Sequence, residues 1–351
     1  MTAPIGPSPS PARARCYDVV VIGAGAAGLG AALTLGRARR SVLVVDAGRP
    51  RNAPAEAVHG YLGLEGVAPA DLLATGRAEV RRYGGEFLTG SAVAAEPLDT
   101  GGFRVALAGG AAVRARRLLV ATGLVDELPE VAGLAELWGR DVLHCPYCHG
   151  WEARDRAIGI LATGPPAVHQ ALLWRQWSER VTYFRHTGPR PTEEEAEQLA
   201  ARGITVVDGE VTALETAGGR LTGVRLADGA LIGCQALAVA PLLTARAGVL
   251  APLGLEPAGQ ELGGQVIGTR LVADPTGATA VPGVWVAGNV TALTDQVIGA
   301  AAAGVRAAAA INADLIAEET RLAVAAHRSA FGPQREREVC ERVLGDRRHG
   351  L

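Results

Sequence analysis

The chain has 351 residues, of which 48% are hydrophobic, 46 are glycine and only 4% are aromatic. That is enough chain for two ordinary domains with sizeable cores, and the bias to small residues suits an α/β protein whose helices pack close to its strands. A net charge of −2, with every basic side chain an arginine, gives no footprint for nucleic acid or an anionic membrane surface.

Residues 1–15 are rich in Pro, Ala and Ser and lack the apolar stretch of a secretory signal, so they are expected to be a disordered tail. No apolar run approaches the roughly 20 residues of a membrane span. The expected location is therefore the cytoplasm, with no membrane partner. Residues 17–22, YDVVVI, read as a buried parallel strand. A glycine-rich turn, Gly23 to Gly28, leads into a helix expected over 29–39. A second β run, 41–45, ends in Asp46. Another apolar strand, LLVATG, covers 118–123 and includes Ala121, Thr122 and Gly123.

A second βαβ-like unit opens with AIGILATG at 157–164, continues in a helix expected over 167–178, and reaches the strand VTYFR at 181–185. Residues 204–240 alternate β runs with turns. A last strand at 284–287 runs into Gly288-Asn289, followed by an Ala-rich helix expected over 296–317. The charged segment from Arg328 is expected to be poorly ordered or an added helix. The two βαβ units point to an α/β protein with two nucleotide-type domains.

Gly23-Ala24-Gly25-Ala26-Ala27-Gly28 is a G-x-G-x-x-G directly after a strand and directly before a helix. Gly23 permits the tight turn, Gly25 lets a pyrophosphate approach the backbone, and Gly28 lets the helix lie close to the strand. The helix start offers free N–H groups and a partial positive charge to phosphates. Asp46, 18 residues past Gly28, stands where a carboxylate accepts from ribose hydroxyls. Glycines also mark ordinary turns, but strand, turn, helix, strand and acid fall here in the order a dinucleotide site requires.

Five cysteines are too few for a disulfide scaffold in a chain this long. Cys145 and Cys148 form a C-x-x-C within His144-Cys145-Pro146-Tyr147-Cys148-His149-Gly150. Three readings compete. Zinc normally takes two such pairs, and no second pair exists, although His144 and His149 offer further ligands. A structural bridge usually joins distant segments. A redox dithiol favours this close spacing, which lets the bond open and close with little rearrangement. His149 directly follows the second cysteine and can take and return protons as thiols and thiolates interconvert, and His144 is a weaker candidate for the same work. No resident metal is expected.

In order, GAGAAG, Asp46, LLVATG, C-x-x-C, a second nucleotide-type unit and Ala-Gly-Asn before an Ala/Gly helix resemble the low-molecular-weight thioredoxin reductases over about residues 16–325. The resemblance implies that architecture: two Rossmann-like, three-layer ββα domains. One is a discontinuous FAD-binding domain, 16–124 with 245–327. The other is an NAD(P)-type domain, 125–244, carrying the C-x-x-C, and 328–351 form a C-terminal tail. It implies FAD as cofactor, a homodimer, Cys148 facing the flavin and Cys145 exchanging with substrate. It also implies flavin contacts from Asn52, from the Ala121-Thr122-Gly123 turn, from Gly288 and Asn289, and from Gln296 and Val297.

Three departures from the family stand out. The acid expected after the second cysteine is His149. The expected Gly-Asp is Gly288-Asn289, whose amide can still bond a ribityl hydroxyl. The second nucleotide turn, Ala162-Thr163-Gly164-Pro165-Pro166-Ala167, has lost its first glycine and gained two prolines, which cannot donate N–H to phosphate. The arginine-rich signature for an NADPH phosphate shrinks to Arg185-His186-Thr187, so NADPH is a doubtful cofactor. C-P-Y-C-H-G-W-E with Ala-Gly-Asn resembles the dithiol oxidases that form the disulfides of gliotoxin and holomycin. That branch implies a small-molecule dithiol as substrate and oxygen as acceptor. An NADPH-linked reductase of thioredoxin or another disulfide, and a flavin-bound redox sensor, are the alternatives. His59, Tyr61 and Trp151 are candidates for a pocket near the flavin and equally for packing.

Overall fold

The computed structural model describes residues 16–330 and 332–344, so the N-terminal segment 1–15 lies outside the described residues. Two Rossmann-like three-layer units share one plan. In the first, strands Glu86–Thr89, Val42–Asp46, Cys16–Ile22 and Ala112–Val120 run parallel in that order, with Val284–Val286 also parallel to Ala112–Val120. An antiparallel meander, Ala92–Pro97 with Phe103–Leu107, continues the sheet from Ala112–Val120. The alternation of the first strand decides its packing. Val19 and Val21 face the helices, where they meet Ala27, Ala31 and Leu35. Val20 and Ile22 face the meander, with Val105 and Leu107. A strand covered on both faces needs an unbroken apolar run, which is why this sequence reads as one.

In the second unit, strands Thr205–Val207, Val181–Phe184, Ile158–Leu161, Ala236–Val239 and Val142–Leu143 form a parallel sheet in that order. Helices Ala167–Trp174 and Glu193–Ala201 cover one face. An antiparallel sheet of Val211–Ala217, Arg220–Leu226 and Leu231–Gly233 covers the other. The chain crosses between the units twice. The two crossings, Leu124–Glu127 and Leu242–Ala245, pair antiparallel, and the second also pairs with Gln265–Arg270.

Several boundaries differ from the sequence expectations. The first helix starts at once after Gly25 and spans Ala26–Arg37. The helix expected over 167–178 ends at Trp174, because its last turn tightens: Gln176 donates to Leu173 and Trp177 to Trp174. The Ala-rich helix runs well past 317, over Val297–Ala330. Its acidic second half is held by arginines from far away in the chain. Glu318 and Glu319 pair with Arg116, Glu319 also with Arg40, and Asp314 with Arg117. The polar segment beyond it contains a helix, Pro333–Leu344, while 345–351 lie outside the described residues.

By length and composition the helix over Val297–Arg328 is apolar enough to cross a membrane, its most apolar 18-residue window having a mean hydropathy of 1.3. Its inner face, Ala307, Ala308, Ile311 and Leu315, is nevertheless packed into the first core. A Cβ on Gly304 would lie 1.9 Å from the Ala27 carbonyl oxygen, so this helix and the first one touch backbone to backbone. That close approach is the use of its glycine and alanine content.

Candidate active site

One cavity of about 1160 Å³ opens between the two units. The first glycine turn lies in its wall, and the three glycines have different surroundings. Gly23 has φ +105, and a Cβ there would strike the Ala121 carbonyl. A Cβ on Gly28 would lie 1.9 Å from the Gly23 oxygen, so this residue sits beneath the turn and off the cavity. Gly25 has nothing within 4 Å of an added Cβ and faces the cavity directly. A side chain here would take up space that the other two glycines keep open. The helix begins at the next residue and points its N–H groups outward.

Asp46 ends the second strand. Its Oδ1 accepts from Ala24 N–H at 3.0 Å, tying the acid to the turn, and its Oδ2 pairs with Arg77. Thr122 bonds the Arg246 carbonyl at 2.6 Å, and Gly123 accepts from Arg246 N–H, so the Ala121-Thr122-Gly123 turn is fastened to the returning chain. Asn52 lines the same wall, as do Gly288, Asn289, Gln296 and Val297. The N-terminus of the long helix therefore also opens on the cavity.

Both polar ends of Asn289 hold protein partners. Its amide nitrogen donates to the Ala292 and Asp295 carbonyls at 2.9 Å each, and its oxygen accepts from Arg51 at 3.2 Å. Only an amide both donates and accepts here, so Asn289 shapes the loop that presents Gln296, and its oxygen keeps one lone pair for a ligand. Arg51 is clamped in turn by both oxygens of Asp126, at 2.8 and 2.6 Å.

The redox segment lines the same cavity. Cys145 and Cys148 are joined by a disulfide with a Cα–Cα distance of 5.3 Å, which leaves no thiolate pair for a metal. Cys145 precedes the single helical turn Pro146–His149, and both Cys148 and His149 donate N–H to its carbonyl at 3.2 Å. Gly150 must be glycine, because a Cβ there would strike the Pro146 oxygen and the Trp177 ring. Tyr147 meets Trp177 edge-on at 5.7 Å and, like Trp151, is two-thirds exposed at the rim.

His144 and His149 both line the cavity with the cysteines. Both ring nitrogens of His149 are buried and have no hydrogen-bond partner among the described residues. Burial holds His149 below the ordinary imidazole range, against the pull of the Glu152 carboxylate. Burial and the Arg51 charge also hold His144 down. Both are therefore neutral at neutral pH and able to accept a proton.

The second nucleotide turn, Thr163, Gly164 and Pro166, also lines the cavity but carries a side chain from the first unit. A Cβ on Gly164 would lie 2.2 Å from the Gln265 amide, because that side chain reaches across from the first unit into the turn. Ala162 is fully buried, and Pro166 starts the following helix. Arg185 is already paired with Asp208 at 2.5 Å, and His186 accepts from Val211 N–H at 3.1 Å. Arg185 and His186 thus already have protein partners, Arg185 through an exposed surface ion pair.

The structure brings every sequence-predicted site residue to this cavity except Gly28, which supports the turn from below. Of the further candidates, His59 lines the cavity, while Tyr61 and Trp151 do not. Arg51, Asp126, Arg77, Glu152 and Gln265 escaped the sequence reading. Arg51, Asp126, Arg77 and Gln265 gain their places from partners distant in the chain, whereas Glu152 closes the C-P-Y-C-H-G-W-E segment and its effect on His149 is local.

A model of the family described as pyridine nucleotide-disulphide oxidoreductase matches residues 17–330. Thioredoxin reductase tcpT of Claviceps purpurea (strain 20.1) is 33% identical over 309 residues, 83% of this chain and 91% of that protein. Thioredoxin reductase aclD of Aspergillus oryzae is 32% identical over 276 residues, 74% of this chain and 84% of that protein. Among solved structures, HlmI superposes with a TM-score of 0.83 at 44% identity, over 90% of this chain and 98% of that one. An oxidoreductase from Agrobacterium tumefaciens superposes with a TM-score of 0.80 at 37% identity, over 86% and 99%. The chain therefore belongs to the pyridine nucleotide-disulphide oxidoreductase family and is a thioredoxin-reductase-like disulfide oxidoreductase.

Proposed function

We propose that this enzyme binds FAD and oxidises a small-molecule dithiol to its disulfide at Cys145–Cys148, with oxygen as the final electron acceptor. The observation that carries the reading is the shared cavity. It holds an open dinucleotide turn and a redox disulfide, while the second nucleotide turn has two prolines in place of N–H donors and the Gln265 amide beside Gly164. The first turn fits FAD: Gly25 is open, Asp46 ends the second strand, and two helix N-termini face inward. When bound, the flavin supplies a two-electron acceptor beside the disulfide. The second turn does not fit a nicotinamide nucleotide, and no step is drawn through one.

The chain's own part is thiol exchange. A substrate thiol gives its proton to neutral His149, and the thiolate attacks Cys145. The Cys145–Cys148 bond breaks, and Cys148 leaves as thiolate. The substrate's second thiol then closes on the mixed disulfide and releases Cys145. In this reading Cys148 is the cysteine that faces the flavin. His144, neutral and weakly bonded to the Val239 carbonyl at 3.4 Å, is a second proton acceptor at the strand end.

A reductase of a thioredoxin-like protein is the second reading. The exposed Tyr147 and Trp151 beside the disulfide favour it, since they offer a protein partner a surface. Anaerobic stopped-flow reduction separates the two. A small dithiol should bleach the flavin quickly and NADPH slowly. Fast, saturable bleaching by micromolar NADPH would reject the oxidase.

The working unit in this proposal is a homodimer. Ile298, Val305 and Ile316 recur at 7 and 11 residues, and so form one exposed apolar stripe along the long helix. The cytoplasm is the proposed compartment, in keeping with the three unpaired cysteines Cys16, Cys234 and Cys340.

A further inference from the structure

A complete exchange turns two substrate thiols and one enzyme disulfide into one substrate disulfide, two cysteine thiolates and two protons. One imidazole holds only one of those protons. His149 must therefore unload within each turnover, although its ring nitrogens are buried without a hydrogen-bond partner among the described residues.

A line of titratable groups leads away from it. The turn that begins at the redox pair continues, with Ala153 N–H donating to the His149 carbonyl at 3.1 Å. Glu152 thus follows His149 by three residues just beyond the helical turn, where its carboxylate acts on the imidazole charge without a hydrogen bond to it. Its Oε1 lies 3.5 Å from His59 Nε2, in the first unit. His59 Nδ1 lies 2.6 Å from Glu65 Oε1, and Glu65 Oε2 accepts the Gly60 N–H at 2.8 Å. Along the line the Glu152 side chain is 46% exposed, His59 20% and Glu65 64%, so it meets water at Glu152 and again at Glu65. Gly60 has φ +70, a conformation that suits glycine and turns the loop so that His59 and Glu65 meet.

We propose that Glu152, His59 and Glu65 are the proton outlet of the redox centre, passing the thiol proton from His149 to water. The proposal rests on the exchange reading above. Glu152 and His59 act through His149 and are positioning residues. The proton taken by His149 moves to the Glu152 carboxylate and on to His59 Nε2. His59 then gives up its Nδ1 proton to Glu65, which releases it to solvent. Each group returns to its starting state except for the imidazole tautomer of His59, which is reset by exchange with water.

The charged and titratable groups facing His149 are Glu152 on its own turn, His59 on the facing loop and His144 at the preceding strand end. Glu152 favours the charged imidazole, whereas His59 and His144 oppose it. Removing Glu152 or removing His59 should therefore move the titration of His149 in opposite directions.

The test uses the FAD-loaded protein and the variants Glu152→Gln, His59→Gln and His59→Ala, each checked for retained yellow colour. Two profiles are measured from pH 5 to 9. One is the single-turnover rate of reduction by dithiothreitol. The other is the rate at which iodoacetamide alkylates Cys145 in the reduced protein, which needs no turnover. Glu152→Gln should shift the acid limb of both profiles to lower pH, and His59→Gln should shift it to higher pH. Both should slow single turnover by about tenfold. Imidazole in the buffer should restore His59→Ala, whose side chain leaves an opening to solvent. Unmoved limbs with rates within twofold of the parent would overturn the outlet, as would a slow His59→Ala that imidazole does not restore. If dithiothreitol fails to reduce even the parent, the exchange reading falls. The alkylation profile, taken on protein reduced by a phosphine, then still decides whether Glu152 and His59 govern His149.

Discussion

Replacing His149 by leucine should separate stability from activity. Neither ring nitrogen bonds to the protein, so the change breaks no hydrogen bond and removes two buried polar atoms without partners. Relief of an unsatisfied buried group is worth about 1 kcal/mol, and leucine is close to histidine in size. The variant should melt about 2 °C higher than its parent. It should keep its flavin, because the glycine turn and Asp46 that fit FAD are untouched.

Dithiol-driven reduction of the same variant should fall by about 10²–10⁴-fold, the usual contribution of a positioned base. The pH dependence adds a second signature. In the folded protein His149 and His144 lie below the ordinary value. Between the folded and ordinary values, the unfolded chain binds more protons than the folded one. Stability in that window rises with pH and is lost as pH falls from the ordinary imidazole value towards the lower folded ones. His149→Leu should flatten this slope. Differential scanning calorimetry and stopped-flow absorbance measure both effects. A variant that melts lower and still turns over within threefold of the parent would refute the assignment of His149 as an unbonded base.

Cys145→Ser and Cys148→Ser should each abolish dithiol turnover while keeping the yellow colour. Only the variant that retains Cys148 should show a long-wavelength charge-transfer band, and a band confined to the variant retaining Cys145 would reverse the two roles. Gly25→Val should give a folded, colourless protein, since the new side chain enters the cavity without touching the backbone; bound flavin seen by absorbance would contradict the pyrophosphate position. Asp141→Ala should cost about 2 kcal/mol in chemical denaturation. This fully buried carboxylate holds Arg220, Arg156 and the Leu221 N–H, but the partly exposed arginines can rehydrate.

The chemistry of this site is local, and most of it is readable in the sequence. A glycine turn between strand and helix, an acid at the next strand end and two cysteines three apart each occupy a short window. The missing pieces are all long-range. Nothing around residue 164 announces Gln265, 101 residues later, although the prolines already argue against a phosphate there. The helix past 317 looks too charged to continue until Arg40, Arg116 and Arg117 arrive from the first half of the chain. Asn289 shows the same limit in reverse. Its departure from the family pattern is visible, but the carbonyls it gathers become visible only once the loop is closed.

The two crossings between the units pair with one another, Leu124 opposite Ala245 and Glu127 opposite Leu242. The middle unit thus enters and leaves its host through neighbouring strands, about 4.8 Å apart. An insert with adjacent ends can be exchanged like a cartridge, because the host has no gap to bridge when the piece is lifted out. The host half keeps the open glycine turn, Asp46 and the long helix, while the insert carries the cysteines and His149. A chimaera that joins this host to a thiol-bearing insert of another specificity, cut within the paired strands, preserves both hydrogen-bonded ends of the junction. The ribbon of crossings is thus the place where this architecture can acquire a new substrate without rebuilding its electron acceptor site.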